Sequence, residues 1–456
     1  MIKKKISRFK SFFLLFPLST IPILSFISCQ TQESVQDKEE QQFYQQHDLL
    51  LKEAKEKNQF QPLKPAIITV NKSDTSNPDF TTMLESAVKS TFSVIDDADK
   101  TSVYIKTFNL NDTNSNSKFE SRDFSKLFNN LIEKGYNLFF FNSDVLLDRF
   151  VLWNVGDNRE TLKEKNIKIV NFDSPRALQK IGNNDSLISL DFIPEDINWI
   201  AGYFAASYLA KEFPDPNSDK RQISVFNNYF NTHEINKTLG FLAGISYWNT
   251  HNPTLTSRVW QTRDQVVFLD KKDQENKVIS TKEQIKNFLK EEKHKDSQIL
   301  FVATDSLVPL VYKYADLNKQ KIIVNHYKNK EFNPKNQKNL LTINEDLKNV
   351  IYRIIYDLYT KKSGTNDRLI LDTDKNVTVF VSYKNKFYSF VENLNSSDKA
   401  LFDSAIEKYN ELTNGFPFAA TRAILDTRQT ATEDLPRSLK RLITTINEAK
   451  PAPNQN

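Results

Sequence analysis

From residue 66 onward, apolar residues fall into two alternating patterns: short unbroken runs, and longer stretches with helical spacing. Ala66-Ile67-Ile68-Thr69-Val70 is a run of the first kind and predicts a strand buried on both faces. The stretch after it sets Phe80, Met83, Leu84, Ala87 and Val88 at i, i+3, i+4, i+7 and i+8, one face of a helix. Runs at 103–105, 138–141, 167–170, 223–226, 266–268, 299–302 and 322–324 predict further strands. Helices are predicted from the stripe Phe124, Leu127, Phe128 and Leu131, around 199–209 and around 235–247. The clearest helical stripe is Leu347, Val350, Ile351, Ile354, Ile355 and Leu358.

Uniformly apolar strands alternating with helices predict an α/β fold, with parallel sheets covered by helices on both faces. So many strands divide more readily into two sheets than one. The runs at 377–381 and 386–390, separated by four residues, predict a hairpin. Beyond Phe418 strand patterns cease, and 450–456 reads as a disordered tail.

The first 62 residues follow another pattern. Lys3, Lys4, Lys5, Arg8 and Lys10 surround or precede an uncharged apolar run over 12–27 that contains Pro17 and Pro22. A basic segment before a short apolar one predicts a secretory signal. A permanent span needs about 20 apolar residues, and this run is shorter and broken by proline. It closes Phe26-Ile27-Ser28-Cys29-Gln30, which resembles the lipobox of bacterial lipoproteins. Cys29 is the chain's single cysteine, so no intramolecular disulfide can form. The expectation is removal of 1–28 and lipidation of Cys29, anchoring the protein on the extracytoplasmic face of the cell membrane. A plain signal or an uncleaved anchor is the competing reading. Residues 30–62 are polar and glutamine-rich and predict a tether, partly helical over 48–57.

Five basic residues of a chain of net charge +5 lie in that signal, so the remainder is formally neutral. No global field draws it to nucleic acid. Eight glycines in 456 residues are few, and neither GxGxxG nor GxxxxGK[ST] occurs, which excludes the common phosphate cradles. The five histidines form no HExxH, and no Cys/His set can build a structural zinc site. GxSxG is absent. Asp96-Asp97 and Glu291-Glu292 read as solvated surface, so neither an enzyme, a cofactor nor a metal is expected. A hydrolase using carboxylates brought together by folding is the weakest alternative.

Several motifs carry a family resemblance. Asn71 follows the first strand, and Asn77-Pro78-Asp79-Phe80-Thr81-Thr82 opens the next helix. Asp196-Ile197-Asn198-Trp199-Ile200-Ala201-Gly202-Tyr203 joins an acidic stretch to a glycine-containing helix. The strand 223–226 leads through Asn231 to Gly240-Phe241-Leu242-Ala243-Gly244, and 299–302 leads to Ala303-Thr304-Asp305-Ser306. Over roughly 66–410 the chain resembles the basic membrane protein family of ABC-transporter substrate-binding lipoproteins, whose members bind nucleosides.

The resemblance implies a two-lobed type I periplasmic-binding-protein-like fold, each lobe a mainly parallel sheet, joined by hinge crossovers. Expected boundaries are 1–28 signal, 29–62 lipidated cysteine and tether, 63–188 plus 326–365 first lobe, and 189–325 plus 366–415 second lobe. Residues 416–456 form a C-terminal helical extension and tail. Phe80 stands where the family stacks a base, although it equally fits the helix core stripe. Asn71, Asn231, Thr304 and Asn325 occupy other ligand positions, the last in place of an aspartate. Glu345 stands where a lysine is usual. Asn142 and Asp144 join them because they follow the strand at 139–141, where open α/β sheets bind ligands. Glycine inside a helix costs about 1 kcal/mol relative to alanine, so Gly202 predicts close packing rather than ligand contact.

The implied function is capture of a nucleoside-like solute for an ABC-transporter permease. The alternative is a surface lipoprotein, an adhesin or antigen, that keeps the fold with a diverged or lost site.

Overall fold

The computed structural model describes Glu56 and residues 62–448, apart from 72–77, 96–102, 110–120, 173–186, 229–231, 263–264, 269–270, 273–277, 292–295, 328–338, 361–375, 418–419 and 426–434. The signal, Cys29, nearly all of the tether and the tail at 450–456 therefore lie outside the described residues.

The first lobe begins with β1 (Pro65–Asn71), α1 (Pro78–Ile95), β2 (Tyr104–Asn109), α2 (Ser121–Glu133) and β3 (Leu138–Phe141). It continues through α3 (Asp144–Trp153), α4 (Asp157–Glu164), β4 (Lys168–Phe172) and β5 (Leu187–Phe192). The second lobe follows as α5 (Pro194–Glu212), β6 (Ile223–Phe226), α6 (Thr232–His251), β7 (Lys271–Lys272) and β8 (Val278–Ile279). Then come α7 (Thr281–Phe288), β9 (Ile299–Val302), α8 (Val308–Tyr314), β10 (Lys321–Tyr327) and β11 (Asn339–Glu345). The chain closes with α9 (Leu347–Thr360), β12 (Val377–Val381), β13 (Tyr388–Glu392), α10 (Ser396–Thr413), α11 (Thr421–Ile424) and α12 (Leu435–Glu448).

Two sheets organise these elements. The first runs β12-β5-β4-β3-β1-β2 and is parallel throughout. The second runs β13-β11-β10-β9-β6, parallel except where β13 meets β11. Both are flanked by helices, giving the two parallel sheets that the alternating patterns predict and the two-lobed α/β architecture that the resemblance implies. β3, β4 and β5 are buried at every position, as strands covered on both faces must be.

Local chemistry explains several elements. The α2 stripe Phe124, Phe128, Leu131 and Ile132 is buried, and Gly135 stops the helix at φ +83°. Phe128 packs among Phe124, Phe139, Phe141, Phe150 and Trp153, the aromatic heart of the first lobe. In the second lobe Phe241 of α6 stacks on Phe301 of β9 at 3.8 Å. Its neighbours Leu300 and Val302 point the other way, into a core with Ile285, Phe288, Val308 and Val311. Strand alternation thus puts α6 on one face of this sheet and α7 with α8 on the other.

Three expectations are corrected by strand pairing. Residues 377–381 and 386–390 do not form a hairpin: β12 pairs with β5 in the first sheet, and β13 with β11 in the second. The turn between them is a crossover. β5 belongs to the first sheet and β10 with β11 to the second, so the lobe limits at 188 and 326 move to about 193 and 346. Residues 377–381 likewise return to the first lobe. Finally, 266–268 contributes one parallel bridge, Val267 to Asn227, instead of a strand. In each case a local pattern was compatible with two partners, and nonlocal pairing chose between them.

Among the described residues the chain therefore passes between the sheets three times, at Ile193, at Asp346 and over Ser382–Phe387. Within 416–456 the described residues include α11 and α12, with α12 packed on α6. Among the described residues no helix is long and apolar enough to cross a membrane.

Candidate functional site

Four neighbouring parallel strands of the second sheet end on one edge, and each delivers polar residues there. Asn227 and Asn228 follow β6, Thr304 and Asp305 follow β9, Asn325 and His326 lie near the end of β10, and Glu345 ends β11. α6 starts beside them, and its first two turns add His233, Glu234 and Lys237. The spacing i, i+1 and i+4 turns His233 and Lys237 toward one side of the helix.

Glu345 is the centre of the charged group. His233 Nε2 lies 2.9 Å from Glu345 Oε2, and Lys237 Nζ lies 3.6 Å from the same oxygen. Lys237 Nζ also donates to Glu234 Oε1 at 3.0 Å. The Lys237 and Glu234 side chains are each only 3% exposed, so solvent screens these charges little. Beside them His326 Nδ1 lies 2.9 Å from Asp305 Oδ1.

The protonation states follow. Burial disfavours the His233 imidazolium, yet Glu345, assisted by Glu234, outweighs burial and the opposing Lys237 and raises the pKa. Burial alone would push Glu345 up, but His233 and Lys237 hold it below the ordinary carboxylate value. Lys237 is likewise raised despite its burial, by Glu234, Glu345 and, more distantly, Asp305. In His233, Lys237 and Glu345 alike, the neighbouring opposite charges favour the charged form against the effect of burial.

Amides complete the edge. Thr304 Oγ1 donates to Asn227 Oδ1 at 2.9 Å and accepts from Asn228 N at 3.2 Å. Asn325 Nδ2 donates to Asn198 Oδ1 of α5 at 3.0 Å. Among the described residues, His233 Nδ1 and Asn228 Oδ1 are buried here with no hydrogen-bond partner. The first lobe touches this edge through Phe192, whose ring meets that of His233 edge-on at 5.3 Å.

No protein-family model matches the chain, and no match is found among curated proteins. Solved structures are similar to it. One is an ABC transporter solute-binding protein from Aeropyrum pernix K1, 10% identical, with a TM-score of 0.46 over 85% of this chain and 100% of that one. Another is a transcriptional activator of the comK gene from Bacillus halodurans, 13% identical, with a TM-score of 0.47 over 78% and 99%. A third is a myo-inositol binding protein from Caulobacter bound to myo-inositol, 13% identical, with a TM-score of 0.37 over 75% and 97%.

The residues singled out from sequence fare unequally. Thr304, Asn325 and Glu345 come together at the edge just described. Asn142 sits at the corresponding edge of the first sheet, where Oδ1 accepts from Val70 N at 2.9 Å and Nδ2 donates to Val70 O at 3.4 Å. Asp144 is exposed in the first turn of α3, next to the N-cap Ser143. Asn71 ends β1 and Phe80 lies in α1, but their side chains, like Asn231 altogether, are outside the described residues.

Sequence reasoning missed His233, Glu234, Lys237, Asp305 and His326. A signal was present: the helix after the 223–226 strand opens with two cations at i and i+4, and strand ends were already the favoured place. It also missed Asn171 near the end of β4, fully buried with neither amide atom hydrogen-bonded among the described residues. Among the described residues no group of three or more His, Asp or Glu side chains converges as metal ligands. Paired charges and amides suit recognition of a polar molecule by hydrogen bonding.

Proposed function

We propose that this protein is the solute-binding lipoprotein of an ABC transporter, closing its two lobes on a small nucleoside-like molecule and holding it for a permease in the same membrane. The observation that carries the reading is the buried network of Glu345, His233, Lys237 and Glu234 at the carboxyl ends of parallel strands, with Phe192 of the other lobe against it. Open α/β sheets bind ligands at that edge, and among the described residues His233 Nδ1 and Asn228 Oδ1 are buried there with hydrogen-bonding capacity to offer one. The nucleoside class comes from the sequence resemblance, with Phe80 as the stacking ring and Asn71, Asn142, Asn231, Thr304 and Asn325 as polar contacts. Cys29 and the tether at 29–62 would keep the binder beside its transporter.

The test is a thermal-shift and calorimetry panel of ribonucleosides, deoxyribonucleosides and myo-inositol on purified protein. A ligand at 100 times its Kd stabilises by about 2.7 kcal/mol, which moves the melting temperature visibly. Heat and a shift with nucleosides support the reading. Silence across the panel, together with no retained molecule in native mass spectrometry, sinks it. Anchoring is checked separately by acyl-chain labelling, which Cys29→Ser should abolish.

A second reading, a surface lipoprotein that keeps the fold without a ligand, is favoured by one observation. Asn142, Thr304 and Asn325 direct hydrogen bonds to their own chain. The same panel separates the two.

A further inference from the structure

The C-terminal extension reaches back to the place where the chain first leaves one lobe for the other. Arg422 of α11 donates through Nε to Glu195 Oε1 at 2.6 Å. Its two terminal nitrogens donate to the Asp191 carboxylate at 3.1 and 3.3 Å, and Nη2 also donates to the Phe192 carbonyl at 2.5 Å. Asp191 is in β5 of the first sheet, and Glu195 is in the first turn of α5 in the second lobe. One guanidinium therefore spans Ile193, the crossover itself. The Glu195 side chain is 1% exposed and that of Asp191 11%, so the two acids meet the cation largely out of water.

The same turn is already tied to the third crossover. Ile193 N donates to Val381 O at 2.8 Å, and Tyr383 N donates to Asp196 Oδ2 at 2.7 Å. Rotation of the lobes must change backbone dihedrals at these crossovers, because rigid sheets lie on either side. A planar fork holding two carboxylates and a carbonyl in fixed directions resists that change more than a point charge would. Arg422 belongs to neither sheet. It is supplied by a segment that follows the last strand.

We propose that the C-terminal extension is a hinge brace, in which Arg422 fixes the end of β5 against the start of α5 and narrows the range of angles between the lobes. This goes beyond solute capture by naming the residue that positions the lobes, and its test requires no solute.

The experiment uses the full chain with Cys29→Ser and spin labels at Glu160→Cys on α4 and Lys286→Cys on α7. Both sites are exposed, one in each lobe. Pulsed electron resonance reads the distribution of distances between them in the absence of ligand. Arg422→Gln is expected to broaden the distribution at least two-fold, and Arg422→Lys to broaden it less. Lys211→Gln is the control, since it breaks a 2.5 Å pair with Asp398 between α5 and α10 inside the second lobe. It should lower the melting temperature without altering the distribution. If Arg422→Gln does not fold, Glu195→Gln replaces it, with broadening again expected. An unchanged distribution in the folded Arg422 and Glu195 variants overturns the proposal, as does equal broadening by Lys211→Gln.

Discussion

Gly202 of α5 packs so closely on Phe241 of α6 that a methyl group at its Cα would lie 1.9 Å from the Phe241 carbonyl oxygen. Gly240 and Gly244 meet α5 in the same way, with backbone oxygens of Glu195 and Trp199 at 2.4 and 2.2 Å from the added carbon. The obstacle is backbone, so no side-chain rotation relieves it. Three of the chain's eight glycines are committed to this one crossing.

Gly202→Ala should therefore destabilise, although alanine favours a helix by about 1 kcal/mol. Overpacking costs about 1–3 kcal/mol or more, and here two long helices would have to separate. Guanidinium unfolding is expected to show a lower midpoint with an unchanged slope. An unaltered midpoint would count against the close crossing.

Glu345→Lys restores the residue that the family resemblance expects, and should be harmful. A third cation would sit beside Lys237 and His233, leaving buried like charges at a cost of about 3–5 kcal/mol. Glu345→Gln should cost less. Reversing the partner as well, in Glu345→Lys with Lys237→Glu, should recover part of the loss, read as a coupling energy in a double-mutant cycle.

His233 gives a pH dependence. Its pKa is raised in the folded protein above the ordinary 6.5 by Glu345 and Glu234, which together overcome burial. The stabilisation is complete below about pH 6.5 and disappears as pH rises through the folded value. Glu345 works in the opposite sense, since its pKa is lowered: its contribution is present above the ordinary 4.5 and is lost as pH falls through the folded value. Melting temperatures from pH 5 to 9 should thus converge between wild type and His233→Gln at the alkaline end. A constant difference across that range would mean that folding leaves the imidazole pKa unshifted, and would overturn this reading.

Asp196 supplies a second window. Burial raises it to about 8, with Glu195 adding to the effect while hydrogen bonds from Tyr383, Ile197 and Tyr409 oppose it. A carboxyl group raised in this way stabilises below its ordinary 3.8, and the advantage is lost as pH climbs to about 8. Asp196→Asn should flatten that decline. It should also cost about 1–3 kcal/mol at pH 5, because the amide offers one acceptor where the carboxyl oxygens serve both Ile197 N and Tyr383 N. Chemical denaturation at pH 5 and pH 8 measures both effects.

Much of the architecture was legible from periodicity. Strands such as Leu138–Phe141 are apolar at every position because both faces are covered, and the α9 stripe repeats with the helical period because one face is. Gly202 was legible for a different reason: in a chain so poor in glycine, one inside a helix demands a steric cause. The strand ends were also identified in advance as the place to look, since the chain direction in a parallel sheet dictates which edge carries the loops.

What the sequence determined by itself was thus the local element, its apolar face and the chain direction, all set by residues within a few positions of each other. Tertiary structure decided the rest. Residues 377–381 and 386–390 look like a hairpin because adjacent strands usually pair, yet their hydrogen-bond partners lie about 190 and 50 residues away in two different sheets. Glu345 reads as a reversed charge until Lys237 and His233, more than 100 residues earlier, are folded beside it. Arg422 is one arginine among many until it meets Asp191 and Glu195. Charges and amides act through distance, and sequence separation carries no information about distance once the chain has folded back on itself.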